Sequence, residues 1–436
     1  MVWIANTLKL KFSRLLLYVR ALGKWLLVSG IVGLFCGALG SAFHIGVDMV
    51  TAFRMSHTWL IWLLPAAGVV IVAIYSFFSV EGQSTNNIIS EVQSGKGLKV
   101  NLIPSIFLST LLTHLCGGSA GREGAALQMG GTIGFEVGKL LHLDDRDLRT
   151  ATLAGMAAFF SALFGTPLAA SIFAMAVISV GLLYHAALIP CFIAALTAYG
   201  VSAFCHVIPT HYVVVAPLLG IPMLLRVAAL AALCAVVSML FCDTLHWAEH
   251  LMQKLFPNPY VRVIVGGFLL IGLSLLFPGG LYNGAGSSVI RRAVERGQAP
   301  TFAFLLKMLF TAVTLSAGFK GGEVVPSFFI GACFGAVAGP FLGIPSGFAA
   351  AVGLISVFCG AVNCPIASTF LAVELFGGDG LLYYALACAL SYMLSGYTGL
   401  YSSQRILYDK LKAQFIDVRT NAYHEGEHTP MEEKYR

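Results

Sequence analysis

Two glutamates stand in stretches of this sequence that otherwise contain mostly small and apolar residues. Glu123 follows Arg122 within CGGSAGREGAALQMGG, and Glu323 lies within GGEVVPSFFIG. A carboxylate beside an anion-binding site can act as a tethered anion when it is ionised and can withdraw when it is protonated. Ionisable residues inside a membrane most often serve ion or proton pathways, so both glutamates are candidate gating and proton-carrying residues. A simple ion pair between Glu123 and Arg122 is the alternative.

Glycines around both glutamates predict that a helix is interrupted at each of them. We expect the breaks at Gly117 to Gly124 and at Gly318 to Pro326. An unpaired backbone amide is costly in lipid, so a broken helix must line a cavity or contact a ligand. The helix that follows each break presents free N–H groups and the positive end of its dipole, which together form an anion site.

A third polar segment, QSTNN at residues 83–87, supplies further hydrogen-bond donors. Hydroxyl and amide groups of this kind can replace part of the hydration shell of a small, strongly hydrated anion. The candidate anion-binding residues in this segment are Ser84, Thr85, Asn86 and Asn87.

The composition indicates that these polar segments belong to an integral membrane protein. Of the 436 residues, 58% are hydrophobic and only 11% are charged, and the mean hydropathy is +0.85. Because the long apolar runs are apolar on all sides, we expect transmembrane helices rather than the alternating strands of a membrane barrel. These runs cover residues 25–45, 58–79, 183–205, 212–242 and 261–277.

The distribution of charge predicts how the chain is oriented. Five basic residues precede the first apolar run, and the chain after residue 405 is polar and charged. By the positive-inside tendency, we expect a multi-pass protein of the cell inner (plasma) membrane with both termini in the cytoplasm. The net charge of +6 requires no nucleic acid as a partner, because basic residues near a membrane also contact anionic lipid. The five residues are Lys9, Lys11, Arg14, Arg20 and Lys24.

An internal duplication relates the two glutamates to each other. AAFFSALFGTPLAASIFAMAV aligns with ISVFCGAVNCPIASTFLAVEL, GREGAALQMGG aligns with GGEVVPSFFIG, and the segment near Gly82 aligns with the segment near Gly284. The three pairs occur in the same order at nearly constant separation, which predicts repeat halves at about 82–177 and 284–375. Interrupted apolar segments at matching places in two halves are a sequence indication of a transporter binding site.

Three motifs in this order, GREGAALQMGG, GGEVVPSFFIG and SGYTGLYSSQ, resemble the CLC family of chloride channels and anion/proton antiporters. The resemblance implies an all-α membrane fold, an inverted repeat of tilted and broken helices, in a homodimer whose protomers each carry a pathway. It also implies that Glu123 is the external gate and that Tyr401 faces the central anion. Val324 and Val325 follow Glu323 in the segment that matches the family's anion-binding GxFxP motif.

Departures from the chloride-type motifs are similar to the fluoride/proton antiporter branch of that family. QSTNN replaces GSGIP, and GGEVVP carries Val324 at the usual Phe, whereas the hydroxyl of Ser84 or Thr85 and Tyr401 resemble the chloride-type branches. The resemblance thus implies a fluoride/proton antiporter that exports fluoride. The alternative is a chloride/proton antiporter or an anion channel of the same fold.

The resemblance also leaves the inner proton carrier to be found elsewhere. Val177 stands at the position of the family's inner proton-transfer glutamate, and a valine cannot titrate. Glu323 is therefore the candidate inner carrier. Alternatively, Glu323 caps the helix that begins near Pro326, where a carboxylate is favourable.

The sequence HWAEH supports one competing function of a different class. It fits the H-x-x-E-H pattern of zinc proteases, with His246 and His250 about one helical turn apart. The motif lies between apolar runs, and no further ligand is evident, so a polar helix end is the expected role. We expect no enzyme and no cofactor, and we divide the chain into a basic cytoplasmic segment (1–24), a membrane domain (25–405) and a charged cytoplasmic tail (406–436).

Overall fold

The computed structural model describes residues 2–95, 97–412 and 414–421, and these residues form sixteen α-helices and one small sheet. Short 3-10 turns connect some of the helices. The helices of the first half are α1 (Val2–Ser56), α2 (Leu64–Phe77), α3 (Thr85–Ser94), α4 (Leu102–Cys116), α5 (Glu123–Leu140), α6 (Asp145–Phe164), α7 (Pro167–Ala176) and α8 (Leu188–Phe204). Those of the second half are α9 (Ile221–Leu255), α10 (Pro259–Leu276), α11 (Ser287–Arg296), α12 (Ala303–Ala317), α13 (Val324–Ala338), α14 (Ser346–Val362), α15 (Pro365–Phe376) and α16 (Leu381–Leu394).

Five helical segments in the described part of the chain are long and apolar enough to cross a membrane by length and composition. They are Lys11–Ser56, Thr58–Phe77, His185–Phe204, Ile221–Leu255 and Pro259–Leu276. These segments correspond to the five predicted apolar runs. The exception within them is residues 212–220, which were predicted as part of a run but are not helical, because α9 begins after Gly220 with a proline in its first turn.

The helices of the two halves repeat in order and in spacing. Helices α3 to α7 begin at residues 85, 102, 123, 145 and 167, and helices α11 to α15 begin at residues 287, 303, 324, 346 and 365. Each half therefore contains the same succession of short, interrupted helices between longer ones. The shortest of them, such as α3 and α7 with ten residues each, cannot span a bilayer alone, so they end and begin inside the protein.

Glycines bring one pair of helices in each half into very close contact. A Cβ atom added at Gly130 on α5 would lie 2.3 Å from the carbonyl oxygen of Gly155 on α6. In the second half, a Cβ atom at Gly331 on α13 would lie 2.3 Å from the carbonyl oxygen of Gly353 on α14. Small residues allow such backbone approach in membranes, where packing rather than hydrophobicity drives helix association.

The chain after the membrane helices returns to the protein as a β-hairpin. Strand β1 (Ser179–Val180) pairs in parallel with β2 (Arg405–Tyr408), and β2 pairs antiparallel with β3 (Phe415–Arg419). The domain boundary that the sequence predicts at residue 405 falls inside β2, and α1 continues through the boundary predicted at residue 24. The remainder of the predicted tail, residues 422–436, lies outside the described residues.

Candidate functional site

The two predicted helix breaks meet at the centre of the protein. Helix α4 ends at Cys116 and α5 begins at Glu123, while α12 ends at Ala317 and α13 begins at Val324. The intervening segments form an antiparallel bridge in which the amide of Gly121 donates to Gly322 O over 2.6 Å and the amide of Gly322 donates to Gly121 O over 2.8 Å. This bridge holds the N-termini of α5 and α13 side by side.

The carboxylate of Glu123 occupies the space between these helix N-termini. The residue is fully buried, and its Oε2 atom accepts hydrogen bonds from the amide of Arg122 at 3.0 Å and from the amide of Val325 at 3.1 Å. Its Oε1 atom has no hydrogen-bond partner among the described residues. Main-chain amides at a helix N-terminus are the groups that bind anions. We name the amides of Arg122 and Val325 the cradle, and the carboxylate of Glu123 takes the place of an anion in it.

The guanidinium group of Arg122 does not pair with Glu123. It lies 3.2 Å from Asp48 Oδ1, and the other oxygen of Asp48 lies 3.1 Å from the ring of His44. The two adjacent side chains therefore point to different surroundings: Arg122 contacts Asp48 on α1, and Glu123 lies in the interior. The simple ion pair that the sequence left open is absent from the salt bridges of the described residues.

The N-terminus of α3 reaches the same centre from a third direction. The hydroxyl oxygen of Thr85 would lie 3.3 Å from a Cβ atom added at Gly124, and it accepts a hydrogen bond from the side-chain amide of Gln128 at 3.2 Å. Gln128 is buried, and its own Oε1 has no partner in the described part of the chain. The structure thus brings Thr85 next to the start of α5.

The side-chain oxygen atoms of Asn86 and Asn87 accept hydrogen bonds near the start of α3. Asn87 Oδ1 accepts the backbone amide of Ser84 at 2.8 Å and its hydroxyl at 3.1 Å, which closes a capping box at the start of α3. Asn86 Oδ1 accepts the amide of Ser403 at 3.1 Å. Their oxygens therefore have structural partners, whereas an anion is bound by the opposite, N–H₂ side of an amide.

Tyr401 is buried beside the two glutamates. Its side chain is 1% exposed, and its hydroxyl has no hydrogen-bond partner among the described residues. Both Glu123 and Glu323 lie within electrostatic range of that hydroxyl. A buried hydroxyl normally has a partner, so this unpaired one is available to donate to an anion.

Glu323 lies at the start of α13, but its side chain does not cap the helix. It is the N-cap residue, its side chain makes no capping hydrogen bond, and it is half-buried. The acidic groups in its electrostatic surroundings are Glu123 and Glu249. Val324 and Val325 follow as buried residues of the first turn, and Val325 contributes its amide to the Glu123 cradle.

A buried lysine near the first break was not singled out from the sequence. Lys307 is fully buried, and its amino group donates to Ser119 Oγ at 2.9 Å, to Gly284 O at 2.6 Å and to Tyr282 O at 3.1 Å. It lies 5.3 Å above the ring of Phe329. The signal that identifies it is a single cation in the otherwise apolar stretch FAFLLKMLFTAV.

Val177 stands where the family has its inner glutamate, and its main-chain carbonyl group is hydrogen-bonded. The carbonyl of Val177, at the end of α7, accepts the side-chain amide of Gln404 at 3.0 Å. The same amide donates to Val362 O at 3.0 Å, and Gln404 is fully buried. Gln404 therefore ties the two halves together at this point.

The zinc-binding hypothesis finds no support in the described residues. They contain no group of three histidine, cysteine or acidic side chains that could hold a metal ion. His246 instead lies 2.8 Å from Cys242 O through its Nδ1 atom and 3.4 Å from Asn421 through its Nε2 atom. Glu249 accepts a hydrogen bond from Gln253 at 3.1 Å, as expected for a polar helix end.

Comparison with known proteins identifies relatives along most of the chain. A family model described as voltage gated chloride channel matches residues 74–396. A chloride/fluoride channel protein of Pseudomonas syringae pv. tomato is 35% identical over 399 residues, which cover 89% of this chain and 88% of that protein. The H(+)/Cl(-) exchange transporter ClcA of Vibrio vulnificus is 24% identical over 436 residues, covering 91% of this chain and 93% of the relative.

Solved structures with the same architecture include two transporters. A crystal structure of a CLC-type fluoride/proton antiporter is 34% identical, with a TM-score of 0.85, and the match covers 88% of this chain and 98% of that one. A slow cyanobacterial Cl-/H+ antiporter is 20% identical, with a TM-score of 0.73 over 85% of this chain and 94% of that one. The second likeness concerns the fold alone.

Proposed function

We propose that this chain, which belongs to the voltage-gated chloride channel (CLC) family of membrane anion transporters, is a fluoride/proton antiporter that exports fluoride. One observation carries the proposal. The buried carboxylate of Glu123 accepts amides from the starts of both α5 and α13, in a cradle that suits an anion. A fluoride ion and the carboxylate compete for this position, and protonation of Glu123 releases the carboxylate from it.

The donors around the cradle suit a small anion. The Thr85 hydroxyl lies next to the start of α5, and the Tyr401 hydroxyl is buried without a partner in the described structure. In our proposal Asn86 and Asn87 contribute their amide N–H groups at the start of α3, and the Ser84 hydroxyl becomes a further donor when it turns from Asn87 Oδ1 to the anion. A fluoride ion loses a large hydration energy on binding, so it requires several close donors at once.

Glu323 is the inner proton carrier in this proposal. It lies at the start of α13 without a capping hydrogen bond, and its electrostatic neighbours include Glu123. A capping residue is expected to bond to the amides of the first turn, and Glu323 does not. Protons then pass between Glu323 and Glu123 while the anion passes through the cradle, which couples the two movements.

A homodimer in the cell inner (plasma) membrane, with both termini in the cytoplasm, completes the proposal. Each protomer contains its own cradle, because Glu123, Val325 and Tyr401 all come from one chain. The α1 segment Lys11–Ser56 and the helical segment Ile221–Leu255 are long enough to span the bilayer with a tilt.

A chloride/proton antiporter is the second candidate, and one observation favours it. The half-buried Ser84 hydroxyl and the buried Tyr401 hydroxyl are the donors expected of the chloride-type branches of the family. These hydroxyls are compatible with a larger anion. The two functions therefore differ in which anion the same cradle prefers.

Anion efflux from reconstituted liposomes tests the proposal. Vesicles loaded with fluoride or with chloride are prepared with the purified protein, and anion efflux is recorded together with the external proton concentration. We expect fluoride efflux to exceed chloride efflux and to drive proton uptake in a constant ratio. Faster chloride efflux with coupled protons would establish the second candidate, and efflux without proton movement would establish a channel.

A further inference from the structure

The hairpin that follows the membrane helices contacts the loop that carries Tyr401. We name residues 405–421 the tail hairpin and residues 395–404 the tyrosine loop. The tyrosine loop has no helix or strand of its own, and Gly396 within it adopts a positive φ of 57°. Within the loop, the amide of Gln404 donates to Tyr401 O at 3.0 Å, and further contacts come from outside the loop.

Thr420 makes the most direct contact with the tyrosine. Its hydroxyl donates to the carbonyl oxygen of Tyr401 over 2.6 Å and lies 2.8 Å from that of Gln404. Its backbone amide also donates to Gln404 O at 2.9 Å. Thr420 is 1% exposed, although the sequence predicts that it lies in a charged cytoplasmic tail. The carbonyl group of the tyrosine itself is therefore held by the hairpin.

Asn421 holds the preceding turn of the tyrosine loop. Its side chain accepts the amide of Gly399 at 3.0 Å and donates to the carbonyl of the same residue at 2.8 Å, and its own amide donates to Tyr397 O at 3.1 Å. At the other end of the hairpin, the hydroxyl of Tyr397 donates to Asp409 Oδ2 at 2.7 Å. Both ends of the tail hairpin therefore contact this loop.

Lys410 extends the attachment to the second-half helices. Its amino group donates to Tyr392 O and to Ser395 Oγ, each at 3.0 Å, and also to the side-chain oxygen of Asn363. Asn363 ends α14 with a positive φ of 58°, and its amide donates to Thr398 O at 3.0 Å. A lysine with three oxygen acceptors at the end of its side chain is anchored rather than solvated.

We propose that the tail hairpin is a positioning element of the transport site, which sets the place of the Tyr401 side chain through Thr420, Asn421 and Lys410. The inference rests on the proposed role of Tyr401 in the anion path. Nothing in the hairpin needs to touch the anion. Because Thr420 holds the tyrosine's own carbonyl, a loss of that bond moves the phenol away from the cradle before it affects the packing of the transmembrane helices.

Substitutions at Thr420 test the proposal with closely matched shapes. Thr420→Val removes the hydroxyl with little change in volume, whereas Thr420→Ser keeps the hydroxyl. We expect Thr420→Val to lower fluoride turnover about tenfold and to change the fluoride-to-chloride preference, since a buried bond of this kind corresponds to roughly that factor. Thr420→Ser should transport as the unaltered protein does. Equal transport by Thr420→Val and Thr420→Ser would overturn the proposal.

Lys410 allows an independent test with a matched control two residues away. Lys410→Met should reproduce the loss of turnover and the altered preference, whereas Lys412→Met should not, because Lys412 is exposed. Size-exclusion chromatography and thermal unfolding are recorded for each variant. If Lys410→Met does not fold, Thr420→Val decides the question alone. A normal preference in a folded Lys410→Met protein would contradict the role of Lys410.

A double-mutant comparison separates positioning from general weakening of the structure. In a Tyr401→Phe background the hydroxyl is absent, so Thr420→Val should cause no further change in anion preference. An undiminished additional change would mean that the hairpin acts by another route, which would overturn the proposal. If Tyr401→Phe alone transports normally, the tyrosine is not in the anion path and the positioning proposal fails with it, while coupled fluoride export by the unaltered protein stands.

Discussion

The two helix breaks share one backbone design but carry different side-chain chemistry. Each break begins with a glycine of positive φ, 91° at Gly117 and 109° at Gly318. Each break leads to a glutamate at the start of the next helix. In the first half the carboxylate is fully buried and bonded to two main-chain amides. In the second half Glu323 is half-buried and makes no capping bond.

The charged groups around the two breaks also differ. Beside the first break lie cations that no carboxylate neutralises among the described salt bridges, namely Lys307 and Arg54, and Arg54 donates to His114 O at 3.2 Å. Glu323 lies near two other acidic groups, Glu123 and Glu249, and the second break also carries a cation, Lys320, 4.3 Å above the ring of Tyr75. The repeat thus supplies two equivalent positions in different surroundings, and in our proposal one serves as the gate and the other as the proton carrier.

The largest expected effect comes from removing the charge of the first glutamate. In Glu123→Gln the neutral amide still accepts the Val325 amide but cannot carry a proton. We expect proton movement in liposomes to fall by at least about 100-fold, while anion movement either stops or becomes passive. Proton uptake is measured during fluoride efflux, against the unaltered protein as control. Unchanged coupling in this variant would remove Glu123 from the mechanism.

Substitution of Glu323 tests whether this second glutamate is the inner proton carrier. Glu323→Gln should abolish fluoride-driven proton transport while the protein purifies and unfolds normally, because no capping bond is lost. A helix cap would show the reverse pattern, with lower stability and an unchanged coupling ratio. Thermal unfolding and simultaneous anion and proton recordings distinguish the two. Pumping of protons at the original ratio by the variant would exclude Glu323 as the carrier.

Alanine at two glycines sharpens the comparison of the breaks. A Cβ atom at Gly121 would lie 2.2 Å from Glu123 Oε2, so the carboxylate must leave its place, and we expect Gly121→Ala to slow fluoride transport about tenfold. A Cβ atom added at Gly318 would meet no atom within 4 Å. The cost of Gly318→Ala is therefore that of placing alanine at a positive φ, about 1 kcal/mol of stability. Transport assays and chemical unfolding check both. A larger transport defect in Gly318→Ala would contradict this account.

The smallest effects are expected at the start of α3. Asn86→Ala and Asn87→Ala remove one amide donor group each, and we expect a few-fold loss that is greater for fluoride than for chloride, since fluoride is the more strongly hydrated ion. Competition between the two anions in efflux assays measures the difference. Ser84→Ala serves as a comparison with a hydroxyl donor. Equal losses for both anions would indicate that the asparagines act only through the hydrogen bonds of their oxygens to Ser84 and Ser403.

Much of the architecture was predictable because it depends on local composition. The three motifs resembling the CLC family predicted the family and the broken-helix fold, and both are confirmed by the family match and by the solved structure with a TM-score of 0.85. The breaks at Gly117 and Gly318 were predictable for a physical reason. Glycine adopts positive φ without strain and ends helices, and this property belongs to the residue itself.

Other features depended on which distant residues meet, and only the tertiary structure decided them. Nothing in the order of residues shows that Arg122 turns to Asp48 while its neighbour Glu123 turns to the amide of Val325. Thr420 and Lys410 read as part of a solvated tail, because polar residues near a terminus are usually exposed. Thr420 is instead buried, and both residues form hydrogen bonds with groups in or next to the tyrosine loop, which the sequence does not show to be their neighbours. Local sequence determines where a helix can stop, whereas the partner of a buried polar group is chosen by the packing of the whole chain.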